Sequence, residues 1–241
     1  MEIPSGDALS ARLEQVLSTI YLLFNEGYHA TSHDDLIRED LIEEALRLCQ
    51  LLCDQPITDR PETHALLALM IYHAARSTSR IDGDGAIVLL RDQDRSKWDH
   101  QLIGLANDHL LRASTGDAIA SYHIEASIAS LHANAASYES TNWQGILAMY
   151  DTLLRIKPTP IVALNRAIVV AEVAGIDEAL NALRSIEGLK DHFLLHATMG
   201  DLLLRSGRWD EARVELLRAN ELTRSSAERA LLKMKLDACM E

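Results

Sequence analysis

The chain has 241 residues, with 23 Lys+Arg against 36 Asp+Glu for a formal net charge of −13, and 48% of its residues are hydrophobic. That length suffices for one large or two ordinary cores, and the composition excludes a disordered or fibrous chain. A surface of this sign repels phosphate, so the chain by itself is expected to bind no nucleic acid and to show no specific promoter affinity at physiological salt.

The sequence opens without a basic segment followed by an apolar one, so no secretory signal is expected. Apolar runs such as 20–24 and 65–71 are far shorter than a membrane span. Three cysteines do not make a disulfide framework, and a reducing cytoplasm is the expected compartment.

Aromatic residues make up only 5% of the chain, and the apolar content is mostly Leu, Ala and Ile, which favours helices over strands. Residues 8–24 carry Leu9, Leu13, Val16, Leu17, Ile20, Leu23 and Phe24 at helical spacing, and 25–28 break it, with Gly27 suited to a left-handed cap. A second amphipathic helix is expected over 35–53, then a polar connection over 54–60. A third begins near Pro61, since proline suits a first turn, and ends near Ser77. Residues 81–90 do not read as helix: Asp82-Gly83-Asp84-Gly85 is a turn signal before a short apolar run, and a small β-ribbon is expected. Asp92, Asp94 and Ser96 offer N-caps for a helix carrying Trp98, Leu102, Ile103 and Leu110. Another helix is expected over 116–136, and from Trp143 onward the pattern is helical hairpins.

Internal repetition organises the C-terminal half. Trp209, Ala212, Leu216 and Ala219 alternate large and small residues at helical spacing; Gly200 stands where the partner helix crosses, and Gly207 ends that helix. Residues 193–226 resemble a complete 34-residue tetratricopeptide (TPR) unit, with Arg224 in place of the usual closing proline. Residues 161–191 form a poorer unit. Trp143, Ile146, Tyr150, Leu153 and Pro158 match the second helix of a unit whose first helix would be 122–136, and 227–240 would be the capping helix. Trp143, Tyr150, Gly200 and Trp209 are expected to be packing positions. The expected fold is all-α: a right-handed helical array ending in TPR-like repeats, with an N-terminal helical part over 1–120 and the repeats with their capping helix over 121–241, the two forming one continuous unit.

Seven stretches resemble one family in order: YLLFNEGY (21–28), DLIREDLIEEALRL (35–48), LLRDQDRSKWD (89–99), IASLHA (128–133), NWQGILAMYDTLL (142–154), LNRAIVVAE (164–172) and LLHATMGDLL (194–203). The family is the bacterial extracytoplasmic-function (ECF) sigma factors that carry a long C-terminal extension with TPR repeats. The resemblance covers about 9–236, but the two sigma domains, region 2 and region 4, have no counterpart here. Residues 1–4 resemble the linker that trails region 4, which implies an excised extension rather than a stand-alone relative. The implied role is regulation of promoter-specific transcription initiation through contacts with its own sigma domains or RNA polymerase. The alternative is a TPR-type sensor that binds a small molecule or peptide and switches a protein partner.

Three segments are candidate partner surfaces. Phe24, Asn25, Glu26 and Tyr28 could contact sigma domains, or could only close a helix with both rings in the core. Arg95, Trp98 and Asp99 form a dense charged segment around an aromatic, or a helix start with Arg95 paired to Asp92 or Asp99. Asn165 and Arg166 fall at the groove face of a repeat, or Arg166 pairs with an acidic neighbour; Val162, Leu194, Ala197 and Asp201 share that expected face. His29/His33, His192/His196 and Cys49/Cys53 have i, i+4 spacing, but no pair has a third ligand in sequence, so neither metal nor cofactor is expected. Residues 82–85 fail as a calcium loop because Ala86 and Ile87 occupy ligand and glycine positions. No nucleophile or phosphate-loop motif occurs, and no enzyme activity is expected.

Overall fold

The computed structural model describes residues 7–28, 37–83, 85–116 and 119–239. Among them are eleven α-helices: α1 Asp7–Tyr28, α2 Glu39–Cys53, α3 Pro61–Ala74, α4 His100–Ala113, α5 Ser121–Ala133, α6 Trp143–Ile156, α7 Pro160–Val173, α8 Ile176–Arg184, α9 Phe193–Arg205, α10 Trp209–Leu222 and α11 Ser226–Asp237. The fold is all-α, as the composition predicts. The one β feature among the described residues is an isolated antiparallel bridge between Ile81 and Ile87.

The chain divides into two compact units: Met1–Ser79 with Asp94–Ala136, and Arg80–Gln93 with Ser137–Glu241. This differs from a boundary at 120/121 in two ways. Helix α5, expected to open the repeats, packs on α3 and α4 instead. The excursion at Arg80–Gln93 belongs with the repeats.

In the first unit α3 is central. It starts at a proline, as expected, and ten consecutive residues from Thr63 to Tyr72 are buried. A helix apolar on every side must be surrounded, and α1, α2, α4 and α5 all pack on it. Helix α1 buries the stripe Leu13, Leu17, Ile20, Phe24 and Tyr28. It does not end in a left-handed glycine: Gly27 lies inside the helix, and its φ is not among the positive ones. Glycine is needed there for space. A Cβ on Gly27 would stand 2.9 Å from both the Arg38 carbonyl oxygen and the Ile42 nitrogen, and the Gly27 carbonyl accepts the Arg38 N–H at 2.8 Å. Asp99, rather than the residues before it, caps α4, accepting from the N–H groups of Gln101 and Leu102. Asp94 caps only a short 3-10 turn, Arg95–Lys97.

The second unit consists of hairpins. Thr159 caps α7, and its hydroxyl accepts the Val162 N–H. Gly175 (φ 98°) and Gly207 (φ 75°) make the left-handed turns before α8 and α10. Leu164, Ala167, Leu180, Leu183, Leu202, Leu203 and Ala212 share one core cluster. A Cβ on Gly200 would meet Leu216 Cγ and Cδ2 at 2.7 Å, the close crossing expected of a repeat. Trp209 departs from expectation: it is 50% exposed, not packed inside. In the excursion, Asp82 N–H donates to the Ala86 carbonyl and Val88 N–H to the Arg80 carbonyl, with Gly85 left-handed between them. Asp84 lies outside the described residues.

Candidate functional site

Each candidate segment can be placed by following its side chains. Phe24 is fully buried and stacked on Tyr28 at 5.6 Å, and both rings face His73. Tyr28 is 3% exposed, with the Arg76 guanidinium 5.7 Å from its ring centre. Two of the four residues in this segment are therefore core, while Asn25 and Glu26 are partly accessible.

Arg95 is also buried. Its Nη1 donates to the carbonyl oxygens of His132 (2.7 Å) and Ala135 (2.9 Å), and its guanidinium lies 4.9 Å from the Trp98 ring centre. A helix ends with unsatisfied carbonyls and a partial negative charge, and a cation there answers both. Arg95 thus clamps the end of α5, a role its acidic sequence neighbours do not suggest. Trp98 is 3% exposed, and Asp99 is the α4 cap. Arg95, Trp98 and Asp99 thus each serve the packing or capping of the first unit, while Asp92 and Lys97 are exposed.

Arg166 on α7 donates from Nε to Asp151 on α6 at 2.6 Å, so its charge is answered internally, and Asn165 beside it is half-buried. Val162, expected on the groove face, is buried, while Leu194 is 36% exposed. Further along the first helices of the pairs runs a charged set. Asp201 on α9 receives Arg91 of the excursion at 2.7 Å and Lys235 of α11, and Arg205 of α9 pairs with Glu172 of α7 at 2.8 Å. Tyr138 lies near Glu172, and burial, then that carboxylate, push its phenol well above the ordinary range. Arg91 and Asp201 are 110 residues apart, so only the fold joins them.

Two features of the first unit have no counterpart in the sequence reading. Between α1 and α2 lies an open groove of about 670 Å³ walled by Val16, Ile20, Leu48, Leu51 and Leu52, with Arg12 beside them. Val16 and Leu51 are 44% and 46% exposed there. Sequence alone shows these as amphipathic positions, without revealing that their outer edges meet across two helices.

The second feature is a buried polar cluster. Cys53 of α2, His64 of α3 and His109 of α4 each bring a donor atom within 4.8 Å of the others. His64 Nδ1 lies 2.8 Å from His109 Nδ1, and His64 Nε2 lies 2.7 Å from Asp59 Oδ1. Burial, then the neighbouring His64 ring, lower the His109 pKa from 6.5 to about 4, so its ring is neutral near pH 7. Cys49 Sγ donates to the Thr63 carbonyl oxygen and is held as a thiol by the neighbouring Cys53 sulfur and by burial. Cys49 and Cys53 are buried free thiols.

The remaining histidine pairs act in other ways. His192 caps α9 through Leu194 N–H, and His196 bonds Glu215 and the Lys190 carbonyl. His29 and His33 lie outside the described residues. His123 accepts the Ala120 N–H and helps start α5.

A family model described as "Family of unknown function (DUF6596)" matches residues 12–114. The chain is 38% identical over 237 residues to "Uncharacterized protein R00370" of Rhizobium meliloti (strain 1021). That match covers 98% of this chain and 56% of the relative, so the chain spans about half the relative's length. Among solved structures, the crystal structure of TTC0263, a thermophilic TPR protein in Thermus thermophilus, is similar with a TM-score of 0.53 and 18% identity. The likeness covers 95% of this chain and 98% of the other. At that identity it concerns the fold, which is TPR-like.

Proposed function

We propose that the chain is the regulatory, protein-interacting extension of a bacterial ECF sigma factor. In this reading it works in the cytoplasm, modulating promoter-specific transcription initiation by contact with its own sigma domains or RNA polymerase. The role is binding, not catalysis. The observation that carries the reading is the pairing of TPR-like hairpins with a second helical unit that leaves an apolar groove open between α1 and α2. Hairpin repeats bury one stripe against their neighbours and leave other faces for partners. An apolar groove between two helices suits the apolar face of a third. A chain that spans about half of its relative leaves ample length there for sigma domains. The family motifs at 21–28, 89–99 and 164–172 support the same reading, though most of their side chains serve packing and pairing.

The working surface in this proposal is the α1–α2 groove, and its occupant is a helix of a sigma domain. Asn25 and Glu26 lie at the end of α1 and extend the same contact. The test is calorimetric titration of this chain with the separately purified region-2 and region-4 domains and with RNA polymerase. Saturable binding to one of them is expected, and Val16→Glu with Leu51→Glu is expected to weaken it about tenfold or more, since each lost apolar anchor costs on the order of 1 kcal/mol. If the folded chain binds none of the three, the sigma-factor reading fails. If binding persists undiminished in the double variant, the groove is the wrong surface.

A further inference from the structure

We infer that Cys53, His64 and His109 form a binding site for a divalent transition metal, Zn²⁺ by the chemistry of the donors, that ties α2, α3 and α4 together. A thiolate and two imidazoles on three separate helices are the donor set zinc prefers. Their donor atoms already lie within 4.8 Å of one another, in a place where burial would make lone polar groups costly. A tetrahedral ion with Zn–N of about 2.0–2.1 Å and Zn–S of about 2.3 Å brings such donors to separations of about 3.3–3.6 Å. The two Nδ1 atoms, 2.8 Å apart, need only separate by about half an ångström, and side-chain rotation draws in the sulfur.

The surroundings prepare the ligands. Asp59 Oδ1 lies 2.7 Å from His64 Nε2, which places the His64 proton on Nε2 and leaves its Nδ1 lone pair facing the cluster. A carboxylate behind a metal-binding histidine fixes its tautomer and raises its basicity. Asp59 is 52% exposed, so the outer end of the cluster meets solvent at that carboxylate. Cys49, one turn before Cys53, has its sulfur bonded to the Thr63 carbonyl and is not one of the donors. On binding, the Cys53 thiol loses its proton to solvent as the S–Zn bond forms, and His109 keeps a single proton on whichever nitrogen does not ligate. No electron is transferred, and about one proton is released per ion.

The test uses the full chain, freed of metal by chelation and titrated with Co²⁺ and then with Zn²⁺. One equivalent of Co²⁺ is expected to raise the visible bands of a tetrahedral cobalt centre together with a thiolate-to-cobalt charge-transfer band, and Zn²⁺ is expected to erase both. Cys53→Ser is expected to remove the charge-transfer band, His109→Gln to abolish tight binding, and Cys49→Ser to leave the spectrum intact. Asp59→Asn is expected to weaken the affinity about 10–100-fold with the same bands, the usual loss when such a carboxylate is removed. If the wild-type chain, folded by circular dichroism, gives no cobalt spectrum and no rise in melting temperature with Zn²⁺, the site does not exist. That measurement needs no variant to fold. Loss of the charge-transfer band in Cys49→Ser but not in Cys53→Ser would overturn the assignment of the thiolate.

Discussion

The two units solve the same problem, burying helices, in opposite ways. In the first, one helix is enclosed on all sides: α3 is buried from Thr63 to Tyr72, and other helices pack round it. In the second, a typical helix buries one stripe. Helix α10 buries only Ala212, Leu216 and Ala219, each three or four residues after the last. The consequence is where polar chemistry resides. A helix enclosed on every side takes its polar residues inside with it, so Thr63 and His64 must find partners there. They find the Thr58 carbonyl, Asp59 and His109. In the repeats, charged groups stay at partly exposed seams as ion pairs such as Arg205–Glu172 and Arg166–Asp151. Buried reactivity is therefore concentrated in the first unit, and charge pairing between helices in the second.

That contrast can be broken most directly by truncating a side chain in each unit. Leu66→Ala, in the middle of α3 and fully buried, is expected to cost about 2–5 kcal/mol by chemical denaturation. Leu217→Ala, on the outer side of α10 and 45% exposed, is expected to stay within about 0.5 kcal/mol. Equal effects would mean the two packing modes do not differ as described.

Acid is expected to act next most strongly, again through the first unit. Burial first, then the nearby Arg76 and Arg95 charges, push the His132 pKa down from 6.5 to about 4. The unfolded chain binds a proton at this residue near the ordinary value and the folded chain only near 4. The stability from a neutral His132 is therefore fully present above about pH 6.5 and lost as pH falls toward about 4. The loss is on the order of 3 kcal/mol. Denaturation midpoints measured across that window should fall with pH, and His132→Asn should flatten the slope. An unchanged slope in the variant would show that His132 takes up its proton freely in the folded chain.

The smallest contrast compares two glycines. A methyl group at Gly27 meets backbone atoms of Arg38 and Ile42, which cannot move aside, whereas at Gly200 it meets the Leu216 side chain. Gly27→Ala is expected to cost about 2–3 kcal/mol and Gly200→Ala about 1 kcal/mol, while Gly200→Leu exceeds both by forcing α9 from α10. Thermal unfolding that ranks Gly200→Ala above Gly27→Ala would reverse the assignment of which crossing is the more rigid.

Much of this was legible in the residues. The start of α3 at Pro61, the turn at Gly207, the Gly200 crossing and the excursion at 81–90 all follow from local rules. Gly27 shows the limit of such rules. It sits where a cap glycine would, yet it serves a close approach to residues 38 and 42, and spacing along one helix cannot reveal what crosses it. The same limit applies to Arg95. Its acidic neighbours suggest an ion pair, and nothing along the chain reveals that it donates to the carbonyls at 132 and 135, freed because α5 ends beside it. Helix α5 itself matches a repeat position by spacing, yet its apolar stripe, Ile124 and Ile128, is buried in the first unit.

By itself the sequence determined what depends on neighbours along the chain: helical periodicity, the alternation of large and small residues that marks the repeats, turn glycines, and an acidic surface. Those features are set by backbone geometry over a few residues, so their signal survives without any knowledge of packing. Only the tertiary structure decided which helices cross and in what register. His64 and His109 are 45 residues apart and Arg91 and Asp201 are 110 apart; neither pair leaves any periodic trace. Whether a histidine ends as a surface residue or as half of a buried donor cluster depends on the side from which α4 meets α3. That orientation is fixed by the burial of the whole apolar set at once, and no single segment of the chain encodes it.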